Sequence, residues 1–233
     1  DGKIVKAEGK EVMARTTLKL DKEKTAEVVQ NLLVSHPKLW DLDFPYRYTV
    51  ETIIKKGGKT IDKYLTPFGI RSVKFDKDKG FFLNNKHLKL KGMCLHQDAG
   101  CLGTAVPDRA YERRLLILKE FGTNAIRCSH NPPSPEFLNY CDSIGFLVID
   151  EAFDKWKSGY YEEFFDSSWQ QDISDMVIRD RNHPSVILWS IGNELAEAKL
   201  KDDTGIERAG MLQDFVHQLD PSRLVMLALQ PGF

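Results

Sequence analysis

The spacing of apolar positions changes period near Phe75. Before it, Thr16–Leu20 and Tyr46–Lys55 alternate apolar or β-branched residues with polar ones, the two-residue period of a half-buried strand. Thr25–Val34 is less regular, because Val28-Val29 and Leu32-Leu33-Val34 interrupt the alternation. Gly57-Gly58 separates Tyr46–Lys55 from Thr60–Thr66 and predicts a hairpin turn. Short strands with no helix between them predict a partial β-sandwich of immunoglobulin-like type over residues 1–71.

After Phe75 strand and helix alternate. Strand-like runs are Leu88–Leu95, Ala125–Cys128, Phe146–Asp150, Val186–Ile191 and Leu224–Leu229. Helical spacing fills the intervals. Asp108–Phe121 carries Tyr111, Leu115 and Leu118, Ser134–Ser143 has prolines at its entrance, and Trp169–Arg181 carries Ile173, Met176 and Val177. Ser167 or Ser168 is the expected cap of the third helix, and Thr204–Leu219 is a fourth. This alternation predicts an α/β parallel sheet. A doubly wound sheet and a barrel both satisfy it, but the glycine-rich first turn of the former is absent.

Polar residues gather where the strands end: His96 and Asp98, then Arg127 and His130, then Asp150 and Glu151, then Asn193 and Glu194. In a (β/α)8 barrel such ends share the rim on which active sites are built. Residues 72–233 are therefore read as about five βα units of a TIM barrel. A full barrel takes about 250 residues, so the sequence is expected to be truncated at both ends. The N-terminus, Asp1-Gly2-Lys3, has neither an initiator Met nor the apolar stretch of a signal peptide, and it assigns no compartment.

Composition narrows the classes further. The net charge of −1 gives no basic surface for nucleic acid or an anionic membrane. No apolar stretch is long enough to span a bilayer. Cys94, Cys101, Cys128 and Cys141 lack zinc or redox spacing and are expected to be small apolar fillers of the core.

The run from Asp180 to Glu194 is the richest in chemistry. It delivers an amide and a carboxyl, Asn193-Glu194, to a strand end behind Gly192, which permits close backbone approach. Apolar walls such as Trp189 would disfavour the charged carboxyl and suit it to general acid catalysis. Read blandly, Glu194 would cap the next helix or form a surface ion pair.

This run resembles the acid/base signature of glycoside hydrolase family 2, the family of β-galactosidases, β-glucuronidases and β-mannosidases. Asn124-Ala125-Ile126-Arg127-Cys128-Ser129-His130-Asn131-Pro132 resembles its other signature, continued by Tyr140-Cys141-Asp142 and Val148-Ile149-Asp150-Glu151-Ala152. Gly92–His96 is similar to the end of its first barrel strand, and Pro37-Lys38-Leu39-Trp40 to its immunoglobulin-like domain. The resemblance implies a retaining β-glycosidase, nearest the β-galactosidases, with Glu194 as acid/base. It further implies Asn193 at the sugar 2-hydroxyl, and His96, Asp98, Arg127, His130, Asn131, Asp150 and Glu151 around the substrate, with the last two left open as to which faces the site and which pairs structurally. Trp156 is either a platform for a pyranose or a core residue.

Two features depart from the family. The nucleophile that a retaining enzyme needs would lie beyond Phe233, so the chain alone is expected to be inactive. Lys155 and Lys157 occupy the positions where magnesium-binding members carry Glu and His, so no cofactor is expected and no metal. The expected partners are a β-linked glycoside and, through open strand edges, a second copy of the chain. The rivals are a non-catalytic carbohydrate-binding or scaffold module and an aldolase-type enzyme. The latter needs a Schiff-base lysine at a strand end, which no predicted strand supplies.

Overall fold

A computed structural model describes residues 13–22, 24–195 and 203–229. Two compact units divide between Lys38 and Leu39. In the first, none of the described residues lies in a strand, and Gln30 Nε2 donates to Thr16 Oγ1 at 3.0 Å. The strands expected over Thr16–Leu20 and Thr25–Val34 are therefore absent from the described residues. Leu18, Val29 and Leu33 stay exposed, because alternation supplies a face to bury but not a neighbouring strand to pair with.

In the second unit, β1 (Tyr48–Lys56) and β2 (Lys59–Phe68) form the expected antiparallel hairpin. Gly57 and Gly58 both adopt positive φ, +57° and +81°, which the tight turn between two strands requires. A three-stranded antiparallel sheet follows, made of β3 (Val73–Asp76), β4 (Gly80–Leu83) and β5 (Lys86–His87). Pattern reading overlooked it, because these strands are too short to show a period. Its turns are nonetheless marked by residues suited to them. Asp76 Oδ1 accepts from the N–H groups of Asp78 and Lys79, and Asn84 and Asn85 take positive φ.

The remaining elements alternate: β6 (Gly92–His96), α1 (Asp108–Glu120), β7 (Ala125–Ser129), α2 (Pro135–Ile144), β8 (Leu147–Glu151), α3 (Glu162–Asp180), β9 (Val186–Ser190), α4 (Thr204–Leu219) and β10 (Leu224–Met226). All five strands pair in parallel, in the order β10-β9-β8-β7-β6. Chain order and sheet order run together without the reversal that defines a doubly wound sheet. The sheet is the opening run of a barrel.

Local chemistry explains several boundaries. Ser134 Oγ accepts from the Phe137 N–H at 3.2 Å, Pro135 opens α2, and Gly145 closes it in the left-handed conformation. Helix α3 begins earlier than expected, with Glu162 and Glu163 in its first turn, where they suit the helix dipole. Ser167 is therefore interior to the helix rather than a cap, and its hydroxyl bonds back to the Phe164 carbonyl at 3.0 Å.

Two apolar clusters cover the sheet. One joins Ile126, Cys128, Val148, Val186 and Trp189 to helical residues that include Leu115, Phe137, Ile173, Met176 and Leu212. The other joins Ala125, Leu147 and Ile187 to Trp40, Phe81 and Leu83. Trp40 donates to the Asp142 carbonyl at 2.8 Å, and Arg71 Nη2 donates to the Val186 carbonyl at 2.5 Å. Cys128 and Cys141 are buried, and burial pushes both thiols up. Cys94 and Cys101 are exposed, so the core-filler expectation fails for these two. Among the described residues, no helix is long and apolar enough to cross a membrane.

Candidate active site

The C-terminal ends of β7, β8 and β9 converge on one carboxyl group. Glu151, at the end of β8, is 0% exposed. Its Oε2 accepts from Arg127 Nε at 3.0 Å, Arg127 Nη2 at 2.7 Å and Ser190 Oγ at 2.5 Å. Its Oε1 lies 2.6 Å from His130 Nδ1. The parallel register explains the meeting, since Glu151 sits opposite Ser190 and Arg127 lies on the neighbouring strand. A buried carboxyl needs such partners, because isolated burial of its charge is costly.

Arg127 extends the network, its Nη2 also donating to Asn193 Oδ1 at 2.9 Å. Asn193 Nδ2 donates to Asp154 Oδ1 at 2.9 Å, and the Asn193 N–H donates to the Asp154 carbonyl at 2.7 Å. Lys155 Nζ donates to the Asn193 carbonyl at 3.0 Å and to Asp154 Oδ1 at 2.7 Å. Desolvation works against the Asp154 charge, but hydrogen bonds from Lys155 and Asn193 outweigh it and lower the carboxyl's pKa. Asn193 is thus fixed on both faces of its amide.

Glu194 follows with φ +46° and its side chain 58% exposed, 3.8 Å from Lys155 Nζ. The expected desolvation by Trp189 is not found. Trp189 is 0% exposed within the helix-facing cluster, and its Nε1 donates to Asp220 at 2.9 Å. Strand alternation turns Trp189 away from the rim. Gly192 has the close surroundings expected of it. A Cβ there would meet Leu195 Cδ2 at 2.9 Å and Trp156 Nε1 at 3.0 Å.

The remaining candidates divide. His96 and His130 pack edge to face with ring centroids 5.3 Å apart, and the peptide joining Ser129 to His130 is cis. Asp98 is exposed, and its carbonyl accepts from Arg114 Nη2 at 2.8 Å. Asn131 donates to the Pro132 carbonyl and lines, with His96, Tyr111 and Phe137, a cleft between the ends of β6 and β7 and helices α1 and α2. Asp150 is turned to the other side of β8, where its carboxyl is buried against that of Asp180. Burial first, then the charge of Asp180, raises its carboxyl well above the ordinary range. Trp156 is 0% exposed and donates to the Ile191 carbonyl at 2.6 Å, in keeping with the core alternative of its two readings.

Sequence reasoning missed Ser190 and Asp154. The two-residue period of β9 puts Ser190 on the side opposite Trp189, a signal that was available. Asp154 lies in a loop and has none. Elsewhere the acid/base-like run does structural work, since His183 Nδ1 and the Ser185 N–H bind buried Asp142 at 2.6 and 3.1 Å. Among the described residues, no three His, Cys, Asp or Glu side chains group to hold a metal.

Comparison with known proteins agrees with this architecture. "Glycosyl hydrolases family 2, TIM barrel domain" matches residues 73–230, and "Glycosyl hydrolases family 2" matches residues 1–71. The chain is 49% identical over 220 residues to "Beta-galactosidase BoGH2A" of Bacteroides ovatus, covering 91% of this chain and 26% of that protein. It is 31% identical to a "Beta-glucuronidase" of Bacteroides fragilis, covering 94% of this chain and 32% of that one. A solved family 2 member from Bacteroides cellulosilyticus superposes with a TM-score of 0.80 at 46% identity, covering 84% of this chain and 26% of the other. The chain thus spans about a quarter to a third of these relatives. An immunoglobulin-like segment followed by the opening strands of a TIM barrel is the family's architecture, and this chain belongs to glycoside hydrolase family 2.

Proposed function

We propose that the chain carries the acid/base half of a retaining β-glycosidase, nearest the β-galactosidases, that acts on terminal β-linked sugars. One observation carries the reading. The hydrogen-bonded series Glu151–Arg127–Asn193 fixes the residue before Glu194 at the rim, and the Glu194 side chain is exposed there beside Lys155.

In this reading Glu194 gives its proton to the glycosidic oxygen as a second carboxylate attacks the anomeric carbon and the alcohol leaves. Glu194, now ionised, takes a proton from water, which attacks the glycosyl–enzyme ester and restores the second carboxylate. That second group stands about 5–5.5 Å from the acid in retaining enzymes, and it comes from outside these 233 residues. Asn193 serves the 2-hydroxyl, where hydrogen bonds strengthen toward the transition state. His96 and His130 line the sugar, and Arg127 holds Glu151 and Asn193 in register. Lys155 fills space next to Glu194 with a cation of the protein's own. No magnesium enters the scheme.

The test is a chimera in which this chain replaces the matching quarter of BoGH2A. The reading expects the chimera to hydrolyse nitrophenyl β-galactoside, Glu194→Gln to abolish turnover, and the 233-residue chain alone to be inactive. A chimera that binds galactosides equally well with and without Glu194, and never turns them over, would instead favour a carbohydrate-binding module.

A further inference from the structure

We propose that Glu151 is a positioning residue that fixes His130 as its Nδ1–H tautomer, so that Nε2 accepts a hydrogen bond from a substrate hydroxyl. The geometry is specific. Arg127 and Ser190 direct three hydrogen bonds into Oε2, which leaves Oε1 to face His130 Nδ1 at 2.6 Å. A carboxylate accepts and cannot donate, so the hydrogen between them sits on Nδ1. A ring whose one hydrogen is on Nδ1 has a lone pair at Nε2. The titratable and charged groups facing the pair are His96, whose ring packs edge to face on His130 with centroids 5.3 Å apart, Arg127 on β7 and, beyond Asn193, Asp154 and Lys155. The His130 side chain is 21% exposed.

This deepens the β-glycosidase reading and depends on it only for the ligand. An acceptor at Nε2 reads a hydroxyl and rejects a carboxylate or fluorine, which cannot donate. The assigned substrate class is therefore a pyranoside with a free hydroxyl at this position.

Glu151→Gln provides a directed perturbation. Arg127 and Ser190 keep the amide oxygen at the Oε2 position, so the amide NH2 faces Nδ1 and drives the imidazole hydrogen to Nε2. Histidine 15N NMR of the 233-residue chain at pH 8, with His130 assigned through His130→Asn, reads the tautomer directly. The expected wild-type spectrum has Nδ1 protonated and Nε2 bare, and Glu151→Gln reverses this. A wild-type His130 protonated at Nε2, alone or together with Nδ1, overturns the proposal even if Glu151→Gln fails to fold.

The ligand arm uses galactose and its deoxy and deoxyfluoro analogues as competitive inhibitors of the chimera. One position should lose about tenfold in affinity with hydrogen and with fluorine alike, the worth of about one hydrogen bond. Recovery by fluorine at every position would mean that Nε2 donates, and would contradict the proposal. Correct NMR with a chimera that neither binds nor hydrolyses galactosides would remove the galactoside reading and leave the tautomer standing.

Discussion

Asp150 and Glu151 are consecutive, both 0% exposed, and face opposite sides of β8. Glu151 is met by Arg127, His130 and Ser190, whereas the Asp150 carboxyl is buried against that of Asp180. The two-residue period of a strand sends one carboxyl to the rim and the other into the layer between sheet and helices. Equal burial thus comes with different surroundings.

Asp150 predicts a pH-dependent stability. Its carboxyl is raised in the folded protein, chiefly by burial, so folding binds its proton more tightly than the unfolded chain does. The stabilisation it contributes is fully present below the unfolded value, about 3.9, and is lost as pH rises through the folded value. Asp150→Asn has no proton to lose. The difference in Tm, variant minus wild type, should grow between pH 4 and pH 8; a constant difference would refute this.

Asp220 works in the other direction. Burial opposes its charge, but the Ser222 hydroxyl, the Arg223 guanidinium and the Trp189 indole N–H outweigh that and hold it at about 2. Its stabilisation is present above the unfolded value and fades as pH falls from about 4 toward 2. Asp220→Asn should lower Tm at pH 7 and flatten the acid limb of Tm against pH. An unchanged acid limb would mean that other carboxylates govern acid unfolding.

How far these features were legible depends on how local their causes are. Thr204–Leu219 was read to the residue, and the five parallel strands to within a few, because amphipathic spacing and strand length are local properties. The sandwich strands over Thr16–Leu20 and Thr25–Val34 required partners that local pattern does not specify. The β3–β5 sheet was too short to carry a period. At the site, strand-end position brought Arg127, His130, Glu151 and Asn193 into consideration together. The split between Asp150 and Glu151 stayed open, since both faces of the sheet are covered and no hydrophobic alternation marks the rim side. Trp156 was undecidable for a related reason, because a large aromatic residue serves a core and a sugar equally well.

Gly192→Ala is expected to destabilise by about 1–3 kcal/mol, the cost of overpacking a tight site. The new methyl would meet Leu195 and Trp156, whose indole already bonds the Ile191 carbonyl. In the chimera the same variant should lower kcat more than it raises KM, since it displaces Asn193 and Glu194 together. Thermal melts and steady-state kinetics check both.

Asp142→Ala should cost about 2–4 kcal/mol, because it leaves buried donors unpaired. His183 Nδ1 and the Ser185 N–H would both lose their acceptor at the entrance to β9. Urea denaturation of the isolated chain measures this. A loss under about 0.5 kcal/mol, typical of a surface change, would show that β9 is seated without it.

The central claim concerns Glu194, and azide rescue of Glu194→Ala in the chimera addresses it most directly. With a dinitrophenyl β-galactoside the leaving group needs no acid, so the glycosyl–enzyme ester forms but waits for a base to activate water. Azide needs no base and attacks the anomeric carbon itself. The account predicts that millimolar azide restores turnover and that NMR identifies the product as the β-galactosyl azide. A Glu194→Ala chimera that hydrolyses nitrophenyl and dinitrophenyl galactosides as fast as the parent, with no response to azide, would contradict it.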